Sequence, residues 1–141
     1  MIEAPKVSET DCAYLAALLD QAGRVRVVRE KRNGSVYRTL FMRLTRLSKE
    51  QAGWVLSKFG PGRCDSGSEG LEVTFVTGRA AEICVHAYPY LQVFKEHARL
   101  ITKFATTMGA KRLPLTTQNL AIRAEVDREI VALGRSGKGR R

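Results

Sequence analysis

Acidic residues are scarce in this 141-residue chain: 14 Asp and Glu stand against 24 Lys and Arg, a formal net charge of +10. A surplus of that size favours a polyanionic partner, with nucleic acid the first candidate. An anionic membrane surface is the rival, but it needs a basic amphipathic helix or a lipidation motif, and the sequence shows neither. Long apolar runs are missing too. The longest uncharged stretch, Ile83 to Phe94, contains His86, Pro89 and Gln92 and is far too short to span a bilayer. Cysteine is limited to Cys12, Cys64 and Cys84, with no CxxC pair, so a reducing intracellular compartment with free, mostly buried thiols is expected. No GxxxxGK[ST] loop and no supportable Ser/His/Asp spacing is present. Cys84, His86 and His97 do not have the spacing of a zinc site, so a core cysteine and surface histidines are expected. The N-terminal Glu3, Glu9 and Asp11, with no apolar run, argue against a secretory signal or transit peptide.

What remains is ordinary globular composition, with 44% apolar residues, enough for one domain with a real core. Ser8-Glu9-Thr10-Asp11 predicts a helix start capped by Ser8 or Thr10, and Gly23 predicts its end. Arg24–Arg29 and Ser35–Arg46 read as strands joined at Asn33-Gly34, a tight-hairpin signal. Between Arg24 and Lys49 nine cations face one acid, Glu30, so most of the excess charge sits on this hairpin and its flank. Ser48-Lys49-Glu50-Gln51 is a capping box whose helix stops at Gly60-Pro61. A Gly/Ser loop (Cys64–Gly70), a strand (Leu71–Thr77) and a helix near Arg79–Ala87 are expected next. After Pro89 a helix should run to about Thr107. A loop with Lys111, Arg112 and Pro114 then leads to a last helix, roughly Gln118–Leu133. GRSGKGRR at the end reads as a basic tail, giving one domain over 1–135 and a flexible tail over 136–141. Helix, hairpin, helix, strand and three helices make an α+β domain.

Tyr14 to Val25, YLAALLDQAGRV, resembles the motif that names the LAGLIDADG homing endonucleases, YLAGLIDGDG followed by a strand. Other segments resemble the family in order: the glycine-turn hairpin, Phe59-Gly60, Thr77-Gly78-Arg79, Tyr88-Pro89-Tyr90-Leu91 with Lys95-Glu96-His97-Ala98, and the closing stretch Glu125–Gly134. The resemblance covers about residues 10 to 135. It implies an antiparallel sheet forming a saddle over nucleic acid, with helices packed on one face. It also implies motif helices meeting at a central axis; with one motif, that means a homodimer on a pseudo-palindromic duplex. The small stripe Ala13, Ala16, Ala17, with Asp20, would be that helix–helix interface, although an ordinary core helix predicts the same stripe.

The resemblance also implies a metal-binding acid just before the motif's last glycine and a lysine near the reacting phosphate. This sequence has Ala22 and Phe94 at those positions. Asp20 lies two residues earlier, a rotation of about 200° along a helix. It should point away, towards solvent or a local hydrogen bond. Without the acid a metal cannot be held to activate water, so no cofactor is expected, with Mg2+ only if cleavage persists. The expected function is non-catalytic binding of DNA or structured RNA through Arg24, Arg26, Arg29, Lys31, Arg32, Arg38, Arg43 and Arg46, with Arg24, Arg26, Arg29, Arg38 and Arg43 supplying much of the energy. The alternatives are an RNA-binding component of a ribonucleoprotein with other proteins (an organellar ribosome, or an intron maturase), to which the basic tail points, and an active metal-dependent endonuclease. An organelle, or a prokaryotic or phage cytoplasm, suits any of these. Tyr37 and Phe41 share a face of the second strand; packing under the sheet is their expected role, stacking on unpaired bases the other.

Overall fold

The computed structural model describes residues 7–108 and 116–138, with backbone alone beyond residue 134. Helix α1 (Glu9–Ala22) starts at Ser8, whose hydroxyl accepts from the Asp11 N–H while the Asp11 carboxylate accepts from the Ser8 N–H. This reciprocal box satisfies two otherwise orphaned donors and holds the Asp11 carboxyl below its usual range, the Ser8 N–H being the largest cause. Leu15, Ala16, Leu18 and Leu19 are buried along a broad apolar stripe. At its far end α1 passes directly into β1 (Gly23–Arg32).

β1 pairs antiparallel with β2 (Ser35–Leu47) through a two-residue turn in which Asn33 (φ 51°) and Gly34 (φ 81°) are both left-handed. That geometry matches the twist of paired strands and is why Asn-Gly belongs there. Helix α2 (Lys49–Phe59) follows, again with a capping box, Ser48 with Gln51. β3 (Arg63–Ser66) and β4 (Leu71–Val76) complete a sheet of order β1-β2-β4-β3, antiparallel throughout. A bulge between Leu44 and Leu47 places Arg46 at φ 55°. Helix α3 (Thr77–Ala87) is tied to β2 by the buried Thr77 hydroxyl donating to the Leu40 carbonyl at 2.7 Å. A 3-10 turn (Tyr88–Tyr90), α4 (Lys95–Ala105) and α5 (Thr117–Lys138) end the described chain.

The helices lie on one face of the sheet. Leu40, Met42, Leu44, Val73 and Phe75 point from the strands into one core with Leu15, Leu19, Ile83, Leu91, Ile101 and Phe104. Each such side chain contributes about 1.5–3 kcal/mol when fully buried. The other face is left open.

Four expectations need correcting. Cys64–Gly70 is not wholly loop: Arg63–Ser66 is strand β3, too short to show a period. The helix expected from Pro89 to Thr107 begins only at Lys95, after the 3-10 turn. The last helix runs through Lys138, so residues 136–138 are helical, not tail; 139–141 and the Lys111–Pro114 loop lie outside the described residues. Gly23 is extended, φ −72° and ψ 139°, so it does not end α1 by adopting a left-handed conformation.

Two charged groups on α5 are buried. The Asp127 carboxylate accepts from Arg29 Nε and Nη2, both at 2.6 Å, and from Arg38 Nε at 2.9 Å. Arg123 has no carboxylate partner among the described residues; it donates to the Thr107 hydroxyl (2.6 Å) and the Arg38 carbonyl (3.3 Å) and lies over the Phe104 ring. Burial pulls its pKa below the ordinary arginine value. Through these contacts α5 is fastened to the hairpin. Asp127→Ala strands two guanidinium groups without their acceptor. It should reduce stability by about 2–3 kcal/mol in urea unfolding, just below the usual range for breaking a buried pair because Arg29 reaches solvent. A change under about 0.5 kcal/mol would mean that the ion pair is not what fastens α5.

Candidate nucleic-acid interface

Strand register decides which side chains reach the open face. Cross-strand partners point the same way, so the pairs Arg24–Arg43, Arg43–Thr74 and Thr74–Arg63 form one row across all four strands. The next row is Arg26–Phe41–Val76, followed by Val28–Thr39, Glu30–Tyr37 and Arg32–Ser35. A groove of about 590 Å³ opens on this face, lined by the apolar Val28, Phe41 and Val76 together with Arg26, Arg43 and Arg63.

The sequence placed eight cations here, and the structure divides them. Arg24, Arg26, Arg32 and Arg43 stand on the open face. Arg29, Lys31 and Arg38 alternate to the helix side, and Arg29 and Arg38 are held by Asp127. Arg29 and Arg38 are thus tied to the last helix, because side chains two apart share a strand face and neighbours do not, while Lys31 is exposed. Arg46 sits in the bulge, within 3.9 Å of Glu69. On the open face Arg32 pairs with Glu30 at 3.0 Å, Arg43 lies 3.6 Å from Glu72, and Arg63 pairs with Asp65 at 3.0 Å. Arg24 and Arg26 have no acidic partner among the described residues. Sequence reading missed Arg63, because β3 gives no periodic signal over four residues. It also expected Tyr37 and Phe41 under the sheet; both are on the open face, Tyr37 with Arg32 above its ring at 5.8 Å.

At the foot of α1 a second set of residues is brought together. Asp20 turns its oxygens to the chain before α4, accepting from the N–H groups of Gln92 (2.9 Å), Val93 (2.9 Å) and Phe94 (2.8 Å). Its expected role was solvent contact or a local hydrogen bond. It is instead a clamp across more than seventy residues, which no local pattern announces. The clamp seats Phe94, buried, against Gly23, where a Cβ would come within 2.7 Å of the ring. Close approach, not backbone conformation, is what requires glycine at that position. Ala22 is buried beside it. His97 stacks on Phe94 at 5.1 Å and is half-buried, not a surface residue. Of the small stripe, Ala16 is fully buried in this chain's own core and cannot meet another helix; Ala13 is half-buried and Ala17 exposed. Cys12 and Cys84 are buried and Cys64 is exposed; burial pushes the Cys84 thiol up to about 12.

No protein-family model matches this sequence, and no curated protein is significantly similar to it. Solved structures are similar. The homing endonuclease I-CvuI, in complex with the I-CreI DNA target, superposes with a TM-score of 0.70 over 89% of this chain and 82% of its own, at 17% identity. The chain has the LAGLIDADG homing endonuclease fold. Meganuclease I-SmaMI bound to uncleavable DNA shares it at a TM-score of 0.66 and 18% identity, over 83% of this chain and 43% of that one. The intron-encoded homing endonuclease I-CeuI, complexed with DNA, follows at 0.56 and 19%, over 74% and 56%. The α+β architecture with an open antiparallel sheet is thus as the motif resemblance implied.

The residues at the foot of α1 do not fit a divalent cation. Ala22, at the position of the implied acid, offers no side-chain donor, and both Asp20 oxygens are engaged by backbone N–H groups. Among the described residues no three His, Cys, Asp or Glu side chains converge. Nor is any helix of the described residues long and apolar enough to cross a membrane.

Asp20→Ala removes the acceptor of three backbone donors. It should lower stability by about 1–2 kcal/mol, as loss of a helix cap does, and speed amide exchange selectively at residues 92–94; unchanged exchange there would refute the clamp. His97 supplies a pH test. Burial first, and the charge of Arg24 second, lower its pKa from 6.5. Its neutral form is favoured in the fold, so its contribution is complete above pH 6.5 and falls away as pH drops through the lower folded pKa. The unfolding midpoint should fall as pH is lowered from 6.5 towards the carboxylate range, and His97→Gln should flatten that slope. A slope that survives the substitution belongs to another group.

Proposed function

We propose that this protein is a nucleic-acid-binding, non-catalytic bearer of the LAGLIDADG fold. The observation that carries the reading is the open face of the sheet: a groove lined by Arg26, Arg43 and Arg63, with Arg24 beside Arg43 in the adjoining row, where Arg24 and Arg26 have no acidic partner among the described residues. Backbone phosphates are the ligands that such side chains neutralise, with release of condensed counterions. The known proteins of this fold include several solved with DNA, which supports nucleic acid as the ligand class. The alanine at the metal position and the committed oxygens of Asp20 support binding without cleavage. On a duplex, a homodimer across α1 would use Ala13 and Ala17 and would match a pseudo-palindromic site.

Salt dependence of affinity tests the assignment. Arg24→Ala with Arg26→Ala should weaken binding and reduce the slope of log K against log salt by about 1.4–1.8, at roughly 0.7–0.9 per phosphate contact. Arg29→Ala should lower stability and leave the slope alone, since its guanidinium is held by Asp127. An unchanged slope in the double variant overturns the interface. Wild type and Ala22→Asp should both leave supercoiled plasmid intact with Mg2+, because the variant still carries Phe94 at the position of the implied lysine. Nicking by wild type would show that the protein is an enzyme.

A further inference from the structure

The open face carries a feature that arginine-to-phosphate contacts leave unused. A sheet covered on one side only is expected to be polar on the other. Here the alternation delivers apolar side chains to solvent: Val28 is 38% exposed, Val76 is 60% exposed, and Phe41 lies half-buried between them. They are adjacent across β1, β2 and β4, with Phe41 directly opposite both Arg26 and Val76. Tyr37, 37% exposed, extends the band along β2.

We propose that this band is a stacking platform for unpaired nucleobases, so that the ligand is single-stranded nucleic acid, or an unpaired loop, rather than a duplex. The proposal deepens the nucleic-acid reading above and rests on it. Three observations converge. The groove, at about 590 Å³, has the size of a small-molecule pocket, roughly 300–1,000 Å³, which suits splayed-out bases. Its apolar floor is bordered by cations, Arg26 in the same row and Arg24, Arg43 and Arg63 in the next, so a base on Phe41 has its phosphates beside guanidinium groups. The ion pairs of Arg43 and Arg63 are partly exposed and exchange readily for a phosphate. Arg43 Nε has no acceptor at all among the described residues, and its contact to Glu72 is long at 3.6 Å.

The apolar floor of this groove suits a duplex poorly. Base edges in the major groove present donors and acceptors, with the thymine methyl the one apolar group, and are read by Arg, Asn and Gln. No Asn or Gln points from the paired strands into this groove, and Val28, Phe41 and Val76 laid against base edges would leave polar atoms unpaired. An unpaired base instead offers a π-face to any aromatic side chain, whatever its identity.

The test uses the full chain with fluorescently labelled probes of roughly 20 nucleotides, longer than a typical single-strand site: mixed-sequence RNA, the same sequence as single-stranded DNA, and its DNA duplex. Wild type should bind a single strand at least about tenfold tighter than the duplex, and the RNA and DNA arms identify which strand chemistry is preferred. Phe41→Ala should lose about tenfold on the single strand and little on the duplex, the size expected for one stacked base. Phe41→Trp should retain affinity, and its added indole emission should be quenched by single strands and not by duplex. Duplex bound as tightly as single strands, or unquenched Phe41→Trp, overturns the platform and leaves the nucleic-acid reading standing. A folded wild type that binds none of the probes overturns both and makes the apolar band a protein-docking surface.

Discussion

The register of the β1–β2 hairpin is the constraint on which the functional reading depends. Asn33 and Gly34 close it with two left-handed residues, so that Gly23 lies opposite Leu44 and Arg32 opposite Ser35. Side chains alternate along a strand, and a slip of one residue would exchange every one of them between faces. Arg24 and Arg26 would enter the helical core, and Arg29 and Arg38 would lose Asp127. The burial of Leu40, Met42 and Leu44 under the helices is what makes such a slip prohibitive. The turn and the core therefore specify the same register, and the register specifies which charges meet a ligand.

That division explains how one hairpin can be so basic and still fold. Arg29 and Arg38 share one buried carboxylate on the last helix, which offsets half of their charge from behind, and Arg123 of the same helix is satisfied by the Thr107 hydroxyl and the Arg38 carbonyl. The inner arginines join helix to sheet, while the outer ones keep their charge for the surface. On that surface Glu30, Glu72 and Asp65 temper the cations, so the open face is less one-sided than the sequence suggested, and its apolar floor becomes the more distinctive feature.

The foot of α1 has been built for packing. Asp20 holds the strap before α4, the strap seats Phe94, and Phe94 occupies the space above Gly23 that any side chain there would fill. Ala22 is buried at the position where the motif resemblance implied an acid, and Phe94, with His97 stacked on it, stands where it implied a lysine. At that place the chain buries a phenyl ring.

Local order was legible in the sequence because its causes are local. The capping boxes at Ser8 and Ser48, the Asn33-Gly34 turn and the apolar periodicity of α2 need only a few neighbouring residues to act, and they appear where the sequence puts them. The motif around α1 carried the fold, and Ala22 and Phe94 were visible as departures from it without any structure. β3 was hidden because four residues hold no period, and the roles of Asp20, Arg29 and Arg38 were hidden because their partners lie 72 to 98 positions away. Composition counts charges but cannot say which way they point. The number of cations on this hairpin, and the alanine at the position where the resemblance implies an acid, can be read from the order of residues alone. Which arginines lack an acidic partner among the described residues, and that Phe41 faces outward, follow from the packing, because the face of a strand is set by what packs behind it.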